Sequence, residues 1–320
     1  MRASFHWFGV VAAAIVFAAC GGTAPHHEAQ ADASPPQSPA FLSDVTSRVI
    51  TSQVSKRSYQ VSVALPEGYS AAHAPYPVLY AADANSEFGT VVETARTFSF
   101  SQQIPDLVIV GIGYARPGQG LKASFAPRTL DLTPSEDKVW AAATAKEAAE
   151  EGVAPPEGTG GAAAFFAFIR DELVPSIEKS YNVSRDRAWY GHSFGGLFGV
   201  YLLFNGGDMF QRFIIGSPSL WWDKRAMFAA EEAFAASRKP LAGRVFLSVG
   251  ALEQQFAPAY PMVRDLQAFT ERLKRRKYSG LHLQTYVFEG ENHLSVIPAI
   301  ISRGLRVIYP QSDRDEPAKQ

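Results

Sequence analysis

Gly191-His192-Ser193-Phe194-Gly195 is a G-x-S-x-G pentapeptide, the spacing that sets a serine on a sharp turn between a strand and a helix. The flanks agree with that context. Ala188, Trp189 and Tyr190 read as the end of a buried strand that follows the charged turn Ser184-Arg185-Asp186-Arg187. Leu197, Val200, Tyr201, Leu202 and Phe204 recur at helical spacing until Asn205-Gly206-Gly207 stops them. A serine hydroxyl is a weak nucleophile at neutral pH and needs a base to take its proton. The helix beginning beside it points its positive end at any negative charge that develops there. Ser193 is therefore the candidate nucleophile.

After such an elbow the chain is expected to supply an acid and then a histidine, both on loops that follow late strands. His293 meets that requirement, because Glu289-Gly290-Glu291-Asn292-His293-Leu294-Ser295 lies between the last apolar strand and the closing helix. His282 starts a strand and does not. Glu253, in Gly250-Ala251-Leu252-Glu253, is the first choice of acid, to fix the imidazole tautomer and stabilise the imidazolium. Asp223, Glu289 and Glu291 are competing carboxylates. An oxyanion hole needs two backbone donors. One is the amide of Phe194. The other is assigned to Asn85 in the loop Ala82-Asp83-Ala84-Asn85-Ser86, which Asp83 would hold in shape.

These groups need a sheet to carry them. Residues 45–54 and 58–65 alternate as an early antiparallel pair, whereas 76–82 and 106–112 are short apolar runs. Unbroken apolar strands are buried on both faces, as in a parallel sheet covered by helices. Residues 162–181 form an amphipathic helix with Phe165, Phe168, Ile169, Leu173 and Ile177 on its buried face and Pro175 as the point of a kink. Further strands are read at 212–215, 244–249 and 282–288, and a closing helix at 296–308. The alternation predicts an α/β fold over residues 41–310, with a mostly parallel central sheet and helices on both faces.

Gly191-His192-Ser193-Phe194-Gly195-Gly196-Leu197-Phe198 and Ile215-Gly216-Ser217-Pro218-Ser219-Leu220-Trp221-Trp222 together resemble the esterase D-like esterases. Matching stretches include Leu79-Tyr80-Ala81-Ala82-Asp83-Ala84-Asn85, Gly111-Ile112-Gly113-Tyr114, Arg128-Thr129-Leu130-Asp131-Leu132-Thr133-Pro134 and Asn292-His293-Leu294-Ser295-Val296. The branch most similar contains hydrolases of ferric enterobactin and salmochelin. The resemblance implies an α/β-hydrolase fold, with Ser193 as nucleophile and His293 as base. It also suggests Arg128 for gripping an anionic or catecholate group; the alternative is a salt bridge to Asp131. Ala84 stands where relatives usually carry glycine, which bears on the oxyanion loop. Some siderophore-cleaving relatives are described as Ser–His dyads, which bears on Glu253. The pocket is expected between the 114–134 loop, residues 155–161 and Trp221-Trp222, whose rings either stack on an aromatic substrate or pack the cap against the core.

The ends of the chain read differently. Residues 1–19 resemble a lipoprotein signal, with a positive start, an apolar stretch and small residues before Cys20. Cys20 is the lone cysteine, so no intramolecular disulfide is possible, and it is the expected lipidation site. Residues 20–40 read as a flexible tether in which His26 and His27 are solvated, and 311–320 as a polar tail. A net charge of −1 and no basic run interleaved with aromatics argue against a nucleic-acid partner. The cluster Arg272, Lys274, Arg275, Arg276, Lys277 suits the end of a helix. The sequence thus predicts an exported, lipid-anchored serine esterase facing the periplasm or cell exterior. It would act through an acyl-enzyme on a small-molecule ester, with a siderophore oligoester as a candidate, and need neither metal nor organic cofactor. The alternatives are a non-catalytic ligand-binding lipoprotein and an acyltransferase.

Overall fold

The computed structural model describes residues 42–116, 121–152, 154–256 and 260–311. Cys20, the segments expected to be a signal and a tether, and the tail beyond residue 311 lie outside the described residues. Strands β1 (Val45–Thr51), β2 (Ser58–Ala64), β3 (Tyr76–Ala81), β4 (Val108–Tyr114), β5 (Val183–His192), β6 (Arg212–Gly216), β7 (Gly243–Gly250) and β8 (Leu281–Phe288) form one sheet. Its order is β1-β2-β4-β3-β5-β6-β7-β8. β1 pairs antiparallel with β2, and β2 with β4; every pairing from β4 across to β8 is parallel.

The helices are α1 (Ala84–Phe100), α2 (Leu121–Asp131), α3 (Lys138–Glu151), α4 (Ala162–Phe168), α5 (Val174–Ser180), α6 (Phe194–Asn205), α7 (Trp222–Ala236), α8 (Glu253–Phe256), α9 (Met262–Arg276) and α10 (Ile297–Ile308). Neighbouring strand residues serve opposite layers, as the pleat requires. Val78, Tyr80, Trp189, Ile215 and Leu247 pack with Phe168, Leu197, Phe198 and Phe269 of α4, α6 and α9. Leu79, Ala81, Ala188, Tyr190, Ile214 and Phe246 pack with Val91 and Val92 of α1 and Ile300 and Leu305 of α10. Both faces are dry, which is why β3 and β4 carry no polar side-chain group apart from three tyrosine hydroxyls.

Four local readings change. β1 stops at Thr51 rather than running to 54, because the amides of Gln53 and Val54 donate to the Glu172 carboxylate instead of to a strand. The 162–181 helix is interrupted by a π-helical turn, Ile169–Leu173, in which the Val174 amide reaches back to the Ile169 carbonyl. Pro175 has no amide to offer the Asp171 carbonyl, and the widened turn just before it absorbs that mismatch. The segment read as the oxyanion loop is a helix from Ala84 onward, started by the Asp83 carbonyl accepting from the amides of Ser86 and Glu87. The 114–134 segment contains helix α2.

Candidate active site

β5 delivers Ser193 and the turn that follows is tight. Ser193 takes φ 60° and ψ −117°, a strained geometry for a non-glycine residue that costs about 1–3 kcal/mol. Neighbouring bonds hold it there: its amide donates to the Gly216 carbonyl at 3.0 Å, and its carbonyl accepts from Leu197 at 2.9 Å. A Cβ on Gly191 would lie 2.2 Å from the Gly195 carbonyl oxygen, and one on Gly196 would lie 2.5 Å from that of Gly216. The turn closes only because both side chains are absent.

His293 follows β8 in a turn organised by Asn292, whose Oδ1 accepts from the amides of Leu294 and Ser295, each at 3.0 Å. Glu253 follows β7 at the start of α8. The two loops meet at Gly250, where a Cβ would lie 2.4 Å from the Glu291 carbonyl oxygen.

The three side chains converge. His293 Nε2 lies 3.0 Å from Ser193 Oγ, and Nδ1 lies 2.6 Å from Glu253 Oε2. A carboxylate can only accept, so Nδ1 carries the proton and Nε2 presents its lone pair to the serine hydroxyl. Glu253 is buried, and its other oxygen accepts from Ser217 Oγ at 2.6 Å and from the Gly250 amide at 2.7 Å. The competing carboxylates lie elsewhere: Glu289 is exposed, Glu291 bonds Ser295, and Asp223 sits on the bend that opens α7. His282 is on the exposed side of β8.

The amides of Phe194 and Asn85 both lie in the first turn of a helix, where amides are not taken up by the helix's own ladder. Asn85 is fixed by its side chain: Oδ1 accepts from the Tyr114 amide at 2.7 Å and Nδ2 donates to the Tyr114 carbonyl at 3.1 Å. Ala84 fits in place of the usual glycine because its methyl group faces Gly111, where a second Cβ would be only 2.9 Å away.

Beside the Ser193 turn is a buried polar group of Asp83, Glu87, Arg128, Tyr190 and His192. Burial, with the Asp83 charge adding to it, raises the Glu87 carboxyl to about 8, so it is mostly neutral at pH 7; the Tyr190 hydroxyl it bonds opposes the shift. Burial, followed by the neighbouring His293 and Arg128, holds His192 well below its ordinary range. His192 is therefore neutral, with its ring 4.5 Å from that of His293.

Arg128 does not pair with Asp131, three residues on. It forks onto Asp83, with Nε to Oδ1 at 2.7 Å and Nη2 to Oδ2 at 2.8 Å, and Asp131 pairs with Arg57 instead. The tryptophans separate. Trp222 is only 1% exposed, donates to the Ser135 carbonyl and packs edge-on against Trp140 and Phe194, so its ring belongs to the packing of the cap on the core. Trp221 is half-buried against Tyr260, with ring centroids 4.2 Å apart. Trp140, Tyr260 and Ser217 went unnoticed as site neighbours. Only Ser217 had a signal, since it lies in the quoted Gly216-Ser217-Pro218 stretch at the end of β6.

Comparison with known proteins gives the family. The Esterase family, described as "Putative esterase", matches residues 52–296. The chain belongs to this family. It is a serine hydrolase of carboxylic esters with the α/β-hydrolase fold. The ferri-bacillibactin esterase BesA of Bacillus subtilis is 33% identical over 269 residues, covering 81% of this chain and 87% of the relative. The siderophore triacetylfusarinine C esterase of Aspergillus fumigatus is 29% identical over 279 residues, covering 78% and 88%. Among solved structures, the BES protein from Bacillus cereus superposes with a TM-score of 0.72 at 31% identity, covering 86% of this esterase and 98% of that chain. Among the described residues of the esterase, no helix is long and apolar enough to cross a membrane, and no cluster of three or more metal-ligating side chains occurs.

Proposed function

We propose that this esterase opens a siderophore oligoester by way of a Ser193–His293–Glu253 triad. Ser193 Oγ attacks the ester carbonyl as His293 Nε2 takes its proton. The amides of Phe194 and Asn85 receive the oxyanion, and Glu253 stabilises the imidazolium. His293 then hands the proton to the departing alcohol. Water, deprotonated by the same imidazole, releases the acid from Ser193. The observation that carries the reading is the unbroken chain of contacts from Ser193 Oγ through His293 to Glu253. The names of the relatives support the substrate class, because two of them are siderophore esterases. The half-buried Trp221–Tyr260 pair offers an aromatic surface near Phe194 on which an acyl or catechol ring can rest. An exported enzyme anchored through Cys20 would meet such a substrate outside the cytoplasm.

The test is hydrolysis of a short p-nitrophenyl ester and of a ferric catecholate triester by the detergent-solubilised full chain. Ser193→Ala and His293→Ala are each expected to lower kcat by several orders of magnitude on both substrates. Turnover by Ser193→Ala equal to wild type removes the triad reading. Turnover of the simple ester alone removes the siderophore assignment.

A further inference from the structure

Arg128 is placed where a substrate-gripping arginine would not be. Its side chain is 8% exposed, and the Asp83 carboxylate facing its fork is 1% exposed. A substrate anion would have to displace Asp83 from a two-bond contact shielded from water, where charge attraction is strong. The position joins the two halves of the oxyanion hole. Asp83 sits at φ 54° and starts helix α1, so it sets where the Asn85 amide points. Arg128 Nη2 also donates to the His192 carbonyl at 3.4 Å, and the guanidinium lies 5.3 Å from the centre of the Phe194 ring. Those two residues flank Ser193. Asp83 Oδ2 closes the gap from the other side, since a Cβ on Gly195 would lie 3.0 Å from it.

We infer that Arg128 and Asp83 are positioning residues that clamp the start of α1 to the nucleophile turn, fixing the separation of the Asn85 and Phe194 amides. The inference rests on the triad reading above. Its chemical content is that the pair acts on the oxyanion of any ester, charged or neutral, rather than on a charged group of the substrate.

The experiment measures kcat and KM for a neutral p-nitrophenyl ester and an anionic ester with Arg128→Lys, Arg128→Gly and Asp83→Asn, beside the stoichiometry of fluorophosphonate labelling. Loss of a donor from an oxyanion hole lowers kcat by about 10^2–10^3, and misplacing one is expected to lower it by about 10–100-fold, equally for both esters, with KM within about twofold. Labelling should still reach one per chain, only more slowly. Added guanidinium should restore part of kcat to Arg128→Gly. Arg128→Lys keeps the charge but not the fork, so it tests the geometry if the glycine variant folds poorly. An unchanged kcat on the neutral ester with a raised KM on the anionic one overturns the inference in favour of substrate gripping. A labelling stoichiometry that falls in step with kcat overturns it in favour of simple misfolding. Absence of wild-type labelling at Ser193 removes the triad reading instead.

Discussion

Ser217 Oγ donates to Glu253 Oε1 at 2.6 Å, on the carboxylate oxygen that does not contact His293. Together with the Gly250 amide it holds the Glu253 carboxylate from behind, which leaves Oε2 aimed at the imidazole. The expectation for Glu253→Gln is a fall in kcat of about 10^2–10^4, because an amide can donate to Nδ1 and select the wrong tautomer. Ser217→Ala keeps the carboxylate and should cost about 10–150-fold, on the order of one lost hydrogen bond to a charged group. Steady-state kinetics decide. If Glu253→Gln turns over like wild type, the site is a Ser–His dyad.

Glu87 gives a pH prediction. Its folded carboxyl titrates at about 8, against 4.5 for the exposed group. The folded state therefore holds a proton that the unfolded state has lost between those values. The stability this provides is complete below about 4.5 and declines as pH rises through 8. The urea midpoint of wild type should fall between pH 6 and 9, and that of Glu87→Gln should fall less. Asp131, raised by burial only to about 6, completes its own decline at lower pH. Parallel curves for the two proteins would show that Glu87 is ionised in the fold.

Gly191→Ala puts a methyl group 2.2 Å from the Gly195 carbonyl oxygen, and neither partner is a side chain that can swing away. We expect loss of turnover and of fluorophosphonate labelling, with destabilisation of about 1–3 kcal/mol from overpacking. Labelling at the wild-type rate would show that the turn has room to spare.

The adjacent tryptophans should separate cleanly. Trp222→Ala removes a buried indole and should cost about 3–5 kcal/mol in chemical denaturation. Trp221→Ala should leave the midpoint nearly unchanged and raise KM for aromatic esters more than for short acyl esters. Equal midpoints for the two variants would contradict the burial difference.

These contrasts show what the sequence could and could not carry. The serine turn was legible because local patterns define it: glycines at fixed offsets, an apolar strand before and a helix after. His293 was legible by its place between the last strand and the closing helix. The carboxylate beside His293 was harder, since four competed and only the approach of the β7 and β8 loops at Gly250 brings Glu253 to it. Arg128 shows the limit most clearly. Helical spacing offered it Asp131 three residues away, but the fold brings Asp83 from 45 residues upstream. Trp221 and Trp222 are neighbours in the chain, yet the bend at Asp223, Lys224 and Arg225, all with positive φ, accompanies one ring in the core and one at the rim. No local pattern announces that bend.

The sheet order has a consequence for when activity arises. Ser193, Glu253 and His293 follow β5, β7 and β8, and His293 stands 100 positions after Ser193. Among the described residues, β8 is an edge strand and pairs with β7 alone. A chain still emerging from the ribosome presents Ser193 well before His293 has arrived. The two ends of the Ser193–His293 contact therefore meet only once the outermost strand, β8, has docked beside β7.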